Sequence, residues 1–307
     1  MIKFYQILFL CSLMLCQTLE EAYQESEPNF GYDKYVILET NGIYTGGLGI
    51  YEGDVYINCN GSTIDLEGGN GIWIYADEQY PSSLDIEFCT IINGNYYGIS
   101  YGGSSTGNIK NCNLISTNFG LKLFDESNVD VTNTIFAYNQ TYGIGVYTEI
   151  PTLEISYSLF WENIEDDCME NCPGWGGIWT QLELNENTGI LYNDPQFNSG
   201  NSGFPSIDWD FNLEDNSPCI NSGNPEIFDI DGTISDIGAL FYLESCSLQG
   251  DANGDYEINI LDVVQIICII INSVNSNCGG TAECLDMNQD NIINVLDVVA
   301  LVNLIIN

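Results

Sequence analysis

The chain has 307 residues, a length that suits about two domains, and carries 44 acidic side chains against four lysines, with no arginine and no histidine, for a formal charge of −40. That balance disfavours double-stranded nucleic acid and anionic membrane surfaces as partners, because binding phosphate requires cations this chain lacks. It also removes histidine from any catalytic or zinc site.

Lys3 precedes an apolar run from Phe4 to Cys16, the length of a signal-peptide core and too short to span a bilayer. Residues 1–19 are therefore read as a leader, cut somewhere between residues 16 and 26, and the mature protein as secreted or displayed at the cell surface. A lipidated Cys16 is disfavoured by the bulky Leu15 before it. Ten cysteines remain once Cys11 and Cys16 are gone, an even number that favours disulfides in an exported chain. Cys168 and Cys172 are the expected local bridge. Cys89 and Cys112 either bridge or form a buried stack of small thiols.

Residues 27–54 read as an entry and capping segment with a first strand over 35–38. Residues 55–83 read as an irregular coil with Val55, Ile57, Ile64 and Leu66 facing inward. From Leu84 to Asn163 one motif recurs four times: an aliphatic at Ile86, Ile109, Val131 and Ile155, then a small residue at Cys89, Cys112, Thr134 and Ser158. A second beat, glycine followed by an aliphatic, recurs at Gly98-Ile99, Gly120-Leu121 and Gly143-Ile144. Two interleaved beats at one period of 22 to 24 residues mean a stacked repeat rather than one round core. Short β-branched runs punctuated by Gly or Asn make each unit a coil of strands. The pattern resembles the right-handed parallel β-helix of the pectate-lyase-like superfamily, which implies a mainly β solenoid over residues 27–245.

Side chains alternate across a strand, so Ile86 and Phe88 are expected inside and Glu87, Lys110, Thr132 and Ser156 outside, with Glu87 and Lys110 pairing as ions. On the second beat Ile72, Ile74, Ile99, Tyr101, Leu121, Leu123, Ile144 and Val146 face inward, and Trp73, Ser100, Lys122 and Gly145 outward. Trp179 joins that outward column after an insertion over 164–174, flanked by Trp161 and Trp175. These four tryptophans are either platforms for sugar rings or covers for coil edges. Asn118, Asn139 and Asn163 are expected at left-handed corners, with their amides bonding from coil to coil. From 182 to 242 the period loosens into segments expected to cap the column's end. Within them, the Asp229 to Gly232 run reads as a turn.

After Cys246 the grammar changes. Asp251, Asn253, Asp255, Asn259 and Asp262 fall at positions 1, 3, 5, 9 and 12 of a calcium loop, and Asp286, Asn288, Asp290, Asn294 and Asp297 repeat them 35 residues later. The carbonyls of Glu257 and Ile292 occupy position 7. Each loop runs into an apolar helix, over 261–272 and 296–306. The duplication resembles a type I dockerin over residues 250–307. That resemblance implies two Ca2+ ions and a cohesin-like or other docking partner. Two departures stand out: Tyr256 and Asn291 replace the usual Gly at position 6, and Ile260-Leu261 and Val295-Leu296 replace polar recognition residues, with no Lys or Arg downstream.

The function read from these features is an exported β-helix protein that binds or displays on polysaccharide and docks through a calcium-stabilised module. One alternative is a polysaccharide-degrading enzyme. Hydrolysis would draw on paired carboxylates, with Glu162, Glu165, Asp166 and Asp167 as candidates; a lyase is disfavoured, because similar β-helix lyases use a Lys or Arg base and only Lys110 and Lys122 lie within the coils. The other alternative is a protein-binding adhesin.

Overall fold

The structure, a computed structural model, describes residues 17–148, 151–163, 188–198, 205–229, 233–242, 249–252, 258–271, 282–288 and 293–306. The chain enters through β1 (Gln17–Thr18) and α1 (Leu19–Glu25), then coils three strands at a time. The turns are β2 (Lys34–Ile37), β3 (Ile43–Thr45) and β4 (Leu48–Ile50); β5 (Gly53–Asn58), β6 (Thr63–Asp65) and β7 (Ile72–Ala76); β8 (Ser82–Glu87), β9 (Thr90–Ile92) and β10 (Tyr97–Gly103). They continue as β11 (Asn108 lies within Thr106–Lys110), β12 (Asn113–Ile115) and β13 (Phe119–Leu123); β14 (Asn128–Thr132), β15 (Ile135–Ala137) and β16 (Tyr142–Val146); then β17 (Thr152–Ser156) and β18 (Leu159–Trp161). Corresponding strands stack in parallel into a six-stranded sheet from β2 to β17, a seven-stranded sheet from β1 to β18 and a five-stranded sheet from β4 to β16.

The register follows the sequence repeat: Ile86, Ile109, Val131 and Ile155 pair in one column, and Ile72, Ile99, Leu121 and Ile144 in another. Both columns line the interior. The second beat needs glycine because the turns approach so closely there. A Cβ on Gly71 would lie 2.1 Å from the Gly98 carbonyl oxygen, and one on Gly120 would lie 2.6 Å from that of Gly143.

Corners differ from expectation. Between the six- and seven-stranded sheets the chain turns on a left-handed residue, at Phe88, Asn111, Asn133 and Tyr157, and a second left-handed column follows the next strand at Asn93, Ser116, Tyr138 and Glu162. Asn118, Asn139 and Asn163 are not left-handed; they sit one or two residues further on. Phe88 is therefore a corner residue, not an inward one, and its ring packs on Phe241 at 5.2 Å. The expected amide ladder does form. Asn139 is wholly buried; its oxygen accepts from Thr117 N–H and Oγ1, and its Nδ2 donates to Leu114 O and Asn163 Oδ1. Position 117, not 118, is the third rung.

Glu87 and Lys110 are register neighbours, but no ion pair forms between them. The Glu87 carboxylate accepts instead from the Tyr56 hydroxyl and, at 3.0 Å, from Asn58 Nδ2. Two short polar donors on the adjacent strand reach it without the entropy of ordering a lysine.

The end of the column is closed by α1 rather than by residues 27–54, which form the first turn. Thr18 and Glu21 make a capping box, β1 pairs with β3, and Leu19 is fully buried in the solenoid core. The folded unit thus includes residues 17–19, which the sequence reading gave to the leader.

Of the segments expected to close the column, residues 188–192 add a further rung: Leu191 bridges Leu159 in parallel and Tyr192 stacks on Phe160 at 6.2 Å. The described residues between 197 and 242 instead run along the outer face of the seven-stranded sheet, where Ile92, Ile115, Ile135, Ala137 and Leu159 pack against Phe197, Phe211, Leu213, Cys219 and Ile237. Corner asparagines hold this strap: Asn133 Oδ1 accepts from Asn224 N at 2.8 Å, Asn113 Oδ1 from Ala239 N at 3.1 Å, and Asn111 Nδ2 donates to Asp236 O at 3.1 Å. A three-residue strand whose outer residues are aliphatic leaves an apolar flank, which demands a cover. Of the run read as a turn, residues 230–232 lie outside the described residues; Phe228 bridges Ile234 on either side of it, and Asp229 Oδ2 accepts from Asp236 N.

The stack of thiols is only partly realised. Cys59 and Cys89 form a disulfide, while Cys112 and Cys219 are buried free thiols. Cys268 and Cys284 are disulfide-bonded as well. Cys168 and Cys172 lie outside the described residues.

Candidate functional site

The outer face of the five-stranded sheet gathers an aromatic strip in two columns. Gly49, Trp73, Ser100, Lys122 and Gly145 lie side by side in register. Tyr75 pairs with Gly102 in the next column, which Tyr51, Phe124 and Tyr147 extend on the neighbouring turns. The glycines make room for rings to lie on the sheet: a Cβ on Gly102 would meet the Phe124 ring at 2.1 Å, and one on Gly49 the Tyr51 ring at 2.9 Å. With strands about 4.8 Å apart, the strip runs roughly 20 Å along the solenoid axis.

Within it, Trp73 is half-buried, with Tyr51 and Tyr75 edge-on at 5.4 and 6.2 Å. The most exposed rings are these two tyrosines, at 54% and 37%. Lys122 holds its Nζ 4.3 Å from the Tyr147 ring centre, 5.5 Å from Phe119 and 5.9 Å from Phe124. Burial lowers its pKa and pushes that of Tyr147 up to about 12. Trp73 Nε1 and Ser100 Oγ are buried with no hydrogen-bond partner, and Ser100 is wholly enclosed. A strip of flat aromatic faces suits a ligand with C–H faces.

The other predicted tryptophans do not join this strip. Trp161 ends β18, pairs with Ala137 in the seven-stranded sheet and packs into the strap, so it covers a flank as the structural alternative anticipated. Trp175 and Trp179 lie outside the described residues, as do Glu165, Asp166 and Asp167. Glu162 is exposed at a left-handed corner beside Trp161. The tyrosines escaped sequence analysis because only tryptophan was weighed as a platform; Tyr51, Tyr75 and Tyr147 each follow an inward aliphatic at the second beat, a signal that was legible.

The outer face of the six-stranded sheet carries acids already engaged. Asp85 accepts from Tyr32 Oη at 2.6 Å and from Asn108 Nδ2 at 2.7 Å; Tyr35 and Tyr56 stack at 4.7 Å. Burial, then the bonds to Asp85 and Glu87, raises the pKa of Tyr32 and Tyr56. Among the described residues, the two carboxyls with displaced pKa values, Glu21 and Asp210, both move down. For Glu21 the Thr18 backbone and hydroxyl bonds are the cause. For Asp210, partial burial pulls up, but bonds from Asn212 and Asn198 outweigh it. Neither moves in the direction a hydrolytic acid needs.

In the C-terminal region α2 (Ile260–Ile271), α3 (Ala282–Leu285) and α4 (Val295–Ile306) enclose a small core of Ala252, Val263, Ile266, Leu285 and Leu301. Positions 9 and 12 of each loop double as N-cap and third residue of a helix. Asn259 Oδ1 accepts from Leu261 N while Asp262 Oδ2 accepts from Asn259 N, and Asn294 and Asp297 repeat this with Leu296 N. The other oxygen of each aspartate reaches the start of its loop, Asp262 to Ala252 N at 2.8 Å and Asp297 to Asn288 N at 3.3 Å. Asp262 and Asp297 are wholly buried and Asp251 nearly so, in a stretch with no basic residue. Buried carboxylates in an oxygen-rich donor set fit a hard cation. Among the described residues no cluster of three or more acidic or cysteine side chains forms a metal site; Asn253, Asp255, Glu257, Asp290 and Ile292 lie outside them. The helices leave Ile260, Leu261, Val264, Val295, Leu296 and Val299 exposed. No described helix is long and apolar enough to cross a membrane.

No curated protein sequence matches the chain. Among solved structures, the crystal structure of pectate lyase Pel9A aligns with a TM-score of 0.29 at 13% identity, over 73% of this chain and 90% of that one. The family described as right handed beta helix region matches residues 33–199, which contain every strand from β2 to β18, and the chain belongs to that family.

Proposed function

We propose that this is an exported protein that binds polysaccharide along the outer face of its five-stranded sheet and is tethered through a calcium-loaded, dockerin-like C-terminal module. The observation that carries the reading is the strip itself: Tyr51, Trp73, Tyr75 and Tyr147 on one face, with the Tyr51 and Tyr75 rings the most exposed. In the tether, the side chains of Asp251, Asn253, Asp255, Asn259 and Asp262, and their equivalents Asp286, Asn288, Asp290, Asn294 and Asp297, would hold two Ca2+ ions with the Glu257 and Ile292 carbonyls. Bound calcium supplies counter-charge and fixes each loop against its helix. The matching exposed triads of α2 and α4 offer an apolar surface to a cohesin-like or other docking protein.

The test is retention on a panel of insoluble polysaccharides with calcium present. Wild type is expected to bind, and Trp73→Ala or Tyr75→Ala to weaken binding about tenfold, which is about 1.4 kcal/mol. Failure of wild type to bind any of them removes this reading and favours a protein-binding adhesin.

A second reading rests on Lys122. Its lowered pKa and its place within the strip are what a proton-abstracting base needs, so of the enzyme readings a lyase is better supported than a hydrolase. Release of unsaturated products that Lys122→Ala abolishes would establish it.

A further inference from the structure

At the corner between the six- and seven-stranded sheets, each turn contributes one small side chain to an interior column: Cys59, Cys89, Cys112, Thr134 and Ser158, all wholly buried. Cys59 and Cys89 are bonded, with Cα atoms 4.9 Å apart. Cys112, one turn further on, is a free thiol. The residues on either side of it are in register with those flanking Cys89: Lys110 pairs with Glu87 and Asn113 with Thr90. Stacked turns lie about 4.8 Å apart, inside the Cα range of about 4.4–6.8 Å that a disulfide requires. A backbone hydrogen bond from Cys89 also reaches the Cys112 sulfur. Cys89 is thus flanked on both sides by cysteines at one-turn spacing.

We propose that Cys112 is a second partner for Cys89, so that the column holds one disulfide that can occupy either of two adjacent rungs. In the exchange the Cys112 thiolate attacks Cys89 Sγ. The Cys89–Cys112 bond forms, the Cys59–Cys89 bond breaks, and Cys59 leaves as a thiolate that takes up the proton Cys112 gave. No oxidant or reductant is consumed. The two pairings close loops of 30 residues and 23 residues, so loop entropy separates them by only about 1.5-fold. Burial pushes the Cys112 thiol up to about 12, which keeps the exchange slow near neutral pH and lets alkali accelerate it. A chain that oxidises at the wrong rung first can therefore reach the other without opening the column.

The test is non-reducing peptide mapping of the full chain, with free thiols blocked by N-ethylmaleimide in denaturant. Fresh wild type is expected to yield the Cys59–Cys89 pair with Cys112 blocked. After alkaline incubation that leaves its circular dichroism native, a Cys89–Cys112 pair with Cys59 blocked should grow to within about threefold of the first, and Cys112→Ser should show no change. Cys59→Ser should yield the Cys89–Cys112 pair directly. Wild type that retains only Cys59–Cys89 under those native alkaline conditions overturns the proposal. So does a folded Cys59→Ser protein in which both Cys89 and Cys112 are blocked.

Discussion

At the residue scale, buried polar groups hold the turns in register. Asn139 makes four hydrogen bonds in a wholly enclosed position, so removing its side chain strands partners on two neighbouring turns. Asn139→Ala is expected to cost about 2–4 kcal/mol, measured as a lower urea midpoint; a loss under about 0.5 kcal/mol would mean the ladder is incidental. Other buried groups set an alkaline limit. Burial pushes the Cys112, Cys219 and Tyr138 pKa values up to about 12, from ordinary values of 9.0 for the thiols and 10.0 for tyrosine. The unfolded chain then loses protons first as pH rises. The stability these groups contribute is full below about pH 9 and disappears by about pH 12. A denaturant series should show the midpoint falling across that window, and a flat profile would contradict these burials.

At the element scale, the repeat is a sequence property and the closures are not. Ile86, Ile109, Val131 and Ile155 fall into register because successive turns differ in length by only a residue or two, the difference falling in the loops, and the inward and outward parity of the second beat follows directly. The cap was misplaced because Leu19 reads as the end of an apolar leader; what identifies it is contact with the open first turn. Leu19→Ala is expected to cost about 2–4 kcal/mol and to promote association through the uncovered strand edges. Unchanged thermal stability would show that α1 is not the cap. The strap, formed by described residues between 197 and 242, reads in sequence as a cap for the column's end for a similar reason: its Asn, Asp and aromatic residues are those of corners, but they bond to the corners of the fourth and fifth turns.

At the whole-molecule scale, a charge of −40 makes divalent cations natural stabilisers, and the proposed calcium loops are where their effect is to be sought. At 100 times its dissociation constant, Ca2+ should add about 2.7 kcal/mol to the module's stability, read as a calcium-dependent rise in one transition of a calorimetric scan against EDTA. Asp262→Asn with Asp297→Asn keeps acceptor oxygens at the helix caps but removes the charge, and should abolish that rise. A transition that calcium does not move would remove the metal from the account.

The period, the inward columns, the outward column of Trp73, Ser100 and Lys122, and the duplicated loop and helix pattern were all determined by the sequence alone, because each depends on spacing within a repeat or between successive repeats. Tertiary structure decided the rest: that α1 closes the column, that the strap covers the seven-stranded sheet, that Cys89 bonds back to Cys59, and that tyrosines rather than Trp161 complete the aromatic strip. Those outcomes depend on which surfaces meet after coiling. A one-dimensional period specifies what stacks on its neighbour, but it carries no record of what folds back across many turns.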